Sequence, residues 1–109
     1  MEKYLNEWES LINELSLKEE AIIKWKTVYE IKSDALIEDA KKVKEETGKD
    51  PIKELYGGNN DKTRKKYVKD QLKDWDKNIT DLELSIDWIS RRISFLRTLI
   101  QYKTKIMEE

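Results

Sequence analysis

The sequence predicts an all-α fold: an extended antiparallel helical hairpin, coiled-coil-like in its packing, that dimerises into a four-helix bundle. Three observations predict it. Of 109 residues, 41% are charged and 38% hydrophobic, a balance that suits long helices with one buried stripe. From Val68 to Ile100, apolar residues recur at alternating steps of four and three, ten positions in succession. The three glycines and the single proline all fall within residues 48–58, which leaves two long uninterrupted segments and one connection.

The first helix is expected over about 3–46. Leu5, Trp8, Ile12, Leu15, Ile22, Tyr29, Leu36 and Val43 keep one apolar line, but the companion line meets Glu19, Lys26 and Ser33. Ala21, Trp25, Val28 and Ala35 widen the stripe on its other flank, so the buried face should rotate along the helix. Ser16-Leu17-Lys18-Glu19 fits a capping box, in which the Ser and Glu side chains satisfy each other's free backbone N–H groups. Two readings follow: a helix broken near Ser16, or an uninterrupted helix with Ser16 facing solvent.

In the connection, residues 47–60, Gly48 suits a left-handed helix stop because it has no Cβ to clash at positive φ. Asp50 before Pro51 is an N-cap followed by the helical position that tolerates proline, which predicts a short helical turn over 51–56. Gly57-Gly58 ends that turn, and Asn60 or Asp61 caps the second long helix, expected over about 61–107. Its heptads place Leu72, Ile79, Ile86, Ile93, Ile100 and Met107 at a, and Val68, Trp75, Leu82, Ile89, Leu96 and Lys103 at d. At about 1.5 Å per residue such helices are far longer than a compact domain of this size is wide, so residues 1–109 read as one hairpin domain. The second helix also carries Trp88, Phe95 and Tyr102 at c and Leu99 and Ile106 at g. That apolar arc is wider than a two-stranded seam requires, so these five residues are the candidate oligomer or partner interface, with a dimer favoured.

Function classes narrow sharply because the chain has no Cys and no His. Disulfides, Cys/His zinc sites, thiol nucleophiles and imidazole bases are all excluded. Asp34 with Glu38, and Asp74, Asp76 and Asp81, lie outside the apolar seam and read as surface charge. Gly57-Gly58-Asn59-Asn60 lacks the spacing of a phosphate-binding loop. No catalytic residue, metal ligand or cofactor is therefore expected, and the chain reads as a non-enzyme. It contains no apolar run long enough for a membrane span, and Met1-Glu2-Lys3-Tyr4-Leu5 lacks a signal-peptide pattern, so a cytoplasmic location is expected.

The near-zero net charge conceals a polarity. Residues 49–73 carry eight cations against four carboxylates, while residues 1–48 carry eight against twelve. Lys62, Arg64, Lys65, Lys66 and Lys69 cluster at the start of the second helix, where cations oppose the helix dipole. With Tyr56 and Tyr67 available to stack on bases, the cluster is a candidate contact for nucleic acid or an acidic protein; the plainer alternative is a solvated face.

The string from Leu55-Tyr56-Gly57-Gly58-Asn59-Asn60 through Asp61-Lys62-Thr63-Arg64-Lys65-Lys66-Tyr67-Val68, with the later run Arg91-Arg92-Ile93-Ser94-Phe95-Leu96-Arg97-Thr98-Leu99-Ile100, resembles small helical accessory proteins of phages and prophages of Gram-positive bacteria. The resemblance covers roughly the second half of the chain. It implies an accessory protein acting on host or phage nucleic-acid machinery, anti-defence proteins such as anti-CRISPRs among the possibilities. The leading expectation is thus a phage-type hairpin that self-associates and binds, and inhibits, a host defence or DNA-processing protein. The alternatives are a recombination or replication accessory factor that contacts DNA through residues 62–73, and a structural scaffold.

Overall fold

The computed structural model describes residues 1–108, with side chains through Ile106. Four helices follow one another: α1 (Glu2–Thr47), α2 (Pro51–Tyr56), α3 (Asp61–Gln71) and α4 (Lys73–Glu108). No strand occurs among the described residues. The fold is an all-α helical hairpin, and its residues cluster into two compact units, Met1–Ile23 with residues 80–109, and Lys24–Ile79.

Local chemistry sets the connection. Gly48 and Gly57 take left-handed φ values of 73° and 77°, and their N–H groups close the preceding helices onto the Lys44 and Lys53 carbonyls. The Asp50 carboxylate accepts from the Ile52 and Lys53 N–H groups, as an N-cap should, and Pro51 fills the first helical position. Of the two cap candidates for α3, Asn60 is the cap, in a reciprocal box with Thr63. Across Ser16, α1 is unbroken and Ser16 is exposed, so the capping-box pattern there is not used.

Two expectations change. The helix expected over 61–107 is interrupted at Leu72, which leaves helical geometry at φ −107° and ψ 31°. The backbone ladder survives on both sides, because the Leu72 N–H still reaches the Val68 carbonyl and the Asp76 N–H reaches the Leu72 carbonyl. Lys69 lies in the last turn of α3 and Asp74 and Asp76 in the first turn of α4, which favours two helix ends here, whereas Asp70 and Lys73 in the same turns oppose it. In α1, Leu5, Ile12 and Val43 of the expected line and Val28 of its flank lie exposed, while Trp8, Leu15, Ile22, Tyr29 and Leu36 are half-buried. The covered line runs through Tyr4, Trp8, Leu11, Leu15, Lys18, Ile22, Trp25 and Tyr29, with Leu11 buried and the others half-buried. That is itself a regular four-three seam. Lys18 belongs to it through its methylenes, its ammonium turning out to Glu14 at 3.9 Å.

In the unit of Met1–Ile23 and residues 80–109, Leu11, Ile89 and Leu96 form the buried core, with Tyr4, Trp8, Leu15 and Ile93 packed against it. Arg92 donates two hydrogen bonds to Glu7, Nε to Oε1 at 2.8 Å and Nη2 to Oε2 at 3.2 Å. The Lys103 ammonium lies 4.9 Å from the centre of the Tyr4 ring. These pairs fix α1 and α4 as antiparallel within this unit. Met107, the last a position, has its side chain outside the described residues.

The Arg92 hydrogen bonds hold the Glu7 carboxyl below its ordinary range, against a smaller opposing effect of burial. A depressed carboxyl stabilises the fold above its unfolded pKa of about 4.3, and that contribution disappears as pH falls through the lower folded value. Replacement of Arg92 by Gln is therefore expected to flatten the acid limb of the stability curve below about pH 4.5, as read by denaturant unfolding at stepped pH.

In the unit of Lys24–Ile79, Trp25 and Trp75 meet with ring centres 4.5 Å apart at 51°, and the Lys32 ammonium sits 5.1 Å from the Trp75 ring centre. Ala40, Ile52, Val68 and Ile79 are buried.

Candidate interaction surfaces

Residues that the heptads place outside the seam form an outer row on α4, interrupted by Arg91 and Arg92. Trp88 is 62% exposed, Phe95 55% and Tyr102 62%, with Ile106 also exposed and Leu99 half-buried beside them. Leu84, one turn before Trp88, extends the row from the outermost position of the wheel, which the heptad seam does not mark. Arg92 stands between Trp88 and Phe95 with its guanidinium 5.2 Å from the Phe95 ring centre, while its hydrogen-bonding edge is held by Glu7. The row is thus an apolar ridge on a helix whose adjoining face, at Ile89 and Leu96, is already sealed within the chain. Apolar side chains in such a row mark an interaction surface more often than isolated exposed ones do.

The basic cluster is only partly as the spacing suggests. Lys62, Lys65, Lys66 and Lys69 are exposed along α3, whereas Arg64 and Tyr67 are half-buried. Tyr56 is engaged: its hydroxyl donates to the Asp70 carboxylate, and the Lys66 ammonium lies 5.2 Å from its ring centre. A phenol tied at one end and covered on one face by its own chain has little left to offer a base, and the sequence held no sign of this because Asp70 lies fourteen residues away. The Arg64 guanidinium lies 3.8 Å from Asp61 through Nη1, and its Nε–H is buried without an acceptor.

The Asp70 hydrogen bond raises the Tyr56 hydroxyl to about 12, helped by burial and by the Asp70 charge. Tyr29 is raised as well, chiefly by burial and then by Asp76. For a phenol raised in this way, the stabilisation is complete below the unfolded pKa of about 10 and is lost as pH climbs through the folded value. Titration of phenolate absorbance is expected to show Tyr56 among the last tyrosines to ionise, near pH 12, and Tyr56→Phe to remove that late step without altering the earlier ones.

Asp50, at the root of α2, is buried, with its other oxygen accepting from the Asn59 side chain at 2.8 Å. That hydrogen bond, and then those from the Lys53 and Ile52 N–H groups, hold its carboxyl below the ordinary range against the opposing effect of burial. It is a structural clamp across the connection.

Among the described residues, no group of three or more acidic side chains is placed to hold a metal ion, and no helix is long and apolar enough to cross a membrane. No protein-family model, curated protein or solved structure matches this chain.

Proposed function

We propose that this chain is a non-enzymatic docking protein that pairs with a second copy through the outer row of α4 and acts by binding a host protein, in the phage setting its sequence resembles. The observation that carries the reading is the exposure of Trp88, Phe95 and Tyr102 on a helix whose core face is already filled. Aromatic residues of this size dominate the energetics of protein interfaces, since each buries a large area with few rotatable bonds. A protein of this kind inhibits a defence or DNA-processing enzyme by occupying its surface, which requires no reaction centre. Light scattering of the wild type and of a Trp88→Glu/Phe95→Glu variant tests the pairing. The expected result is a dimer that becomes a monomer of unchanged helix content in the variant; a wild type that stays monomeric at all concentrations rules the pairing out.

A second reading, a DNA accessory factor, is favoured by the exposed Lys62, Lys65, Lys66 and Lys69 on one helix. Its signature is binding to a short duplex that weakens steeply with salt and disappears in Lys65→Glu/Lys66→Glu. Binding indifferent to salt, or none at low salt, removes it.

A further inference from the structure

A pocket of about 320 Å³ opens within the unit of Lys24–Ile79, between the last turns of α1, the root of α2 and the first turns of α3. Its polar lining comes from Lys41, Lys44, Asp50, Asn59 and Arg64, over a floor that includes Ile37. We propose that this pocket is an oxyanion site that takes a dianionic phosphate group, free or as a monoester, between Arg64, Lys41 and Lys44.

Arg64 supplies the first reason. Its Nε–H is buried with no acceptor, an arrangement that native structures seldom leave unexplained. The pairing with Asp61 does not supply one: at 3.8 Å from Nη1 it lies beyond hydrogen-bond reach, and the Asp61 side chain is 93% exposed and open to water. A guanidinium whose donors are not all satisfied is the side chain best matched to two oxygens of one phosphate.

Charge supplies the second. Three cations and one carboxylate line the pocket, and that carboxylate is already engaged by the Ile52 and Lys53 N–H groups and by Asn59; outside the lining, Lys41 has Glu38 at 3.7 Å and Arg64 has Asp61 at 3.8 Å. The lining itself carries two more positive than negative charges, and Glu38 and Asp61 are exposed partners whose weak, water-screened pairing a phosphate dianion can replace. Size supplies the third, because the volume lies at the lower end of the about 300–1,000 Å³ of small-molecule sites. Alongside runs a second concavity of about 420 Å³ that shares Ile37 and Arg64 and has Tyr29 and Val68 in its walls. An organic group esterified to the phosphate has an apolar place to lie there.

Calorimetric titration with inorganic phosphate and with phenyl phosphate, at constant ionic strength in chloride buffer, tests the site. Saturable binding of one anion per chain is expected for the wild type and for Lys62→Gln/Lys66→Gln, which removes exposed charge elsewhere on α3. Arg64→Gln and Lys41→Gln/Lys44→Gln are each expected to weaken it at least about tenfold. Arg64→Lys, which keeps the charge but loses the fork, should fall between and serves if the Gln variant does not fold. Tighter binding of phenyl phosphate identifies a monoester as the ligand, and binding of inorganic phosphate alone identifies the free ion. No saturable binding to the wild type, retention of full affinity by Arg64→Gln, or an equal loss in Lys62→Gln/Lys66→Gln overturns the proposal.

Discussion

Leu96→Ala is expected to destabilise the protein by about 2–5 kcal/mol in denaturant unfolding, the range for removing a buried leucine and leaving part of the cavity unfilled. Leu96 is fully buried at the centre of the Leu11–Ile89–Leu96 core. With total stabilities of about 5–15 kcal/mol for a domain of this size, such a loss is a large share of the whole. The contrast with α1 sharpens it. Ile12, next in sequence to buried Leu11, is exposed, so Ile12→Ala should cost well under half as much despite removing a similar side chain. If Ile12→Ala and Leu96→Ala cost the same, the seam described here has the wrong register in α1.

Ile52→Ala is the second substitution of large expected effect, again about 2–5 kcal/mol. A helix of six residues cannot hold itself in water, so α2 exists because Ile52, 1% exposed, anchors it and Asp50 caps it. Loss of the anchor should release the whole turn, including the link from Asp50 to Asn59, and the amides of residues 52–57 should then exchange with solvent much faster than in the wild type. A variant that loses stability but keeps those amides protected would show that α2 is held by something other than its single buried side chain.

What could be read from the sequence was what is decided locally. Gly48, Asp50, Pro51, Gly57 and Asn60 each answer to backbone requirements within three or four residues, and the short helix they delimit lies at the residues expected, 51–56. The α4 seam was legible because its four-three spacing runs through ten positions without a polar residue, although Trp88, Phe95 and Leu99 stand beside it. In α1 the signal is degenerate: Tyr4 beside Leu5, Leu11 beside Ile12 and Ile22 beside Ile23 offer two nearly parallel stripes. Packing against the regular face of α4 selects the stripe through Tyr4, Leu11 and Lys18, a choice made by tertiary contact. The interruption at Leu72 carries no glycine or proline, and the charges around it are mixed, so the sequence reads there as continuous helix. At the surfaces, exposure of Trp88, Phe95 and Tyr102 follows from the heptads, whereas the capture of Tyr56 by Asp70 and the pocket beneath Arg64 join residues distant in sequence, which periodicity does not report.

The central claim is a division of labour between two faces of α4, one sealed inside the chain and the other left for a second molecule. Isotope-filtered NOE spectroscopy on a mixture of labelled and unlabelled protein tests it most directly. Intermolecular contacts are expected from the rings of Trp88, Phe95 and Tyr102 and none from Leu96 or Ile89. Intermolecular contacts from Leu96 or Ile89, or a complete absence of contacts between copies, would contradict it.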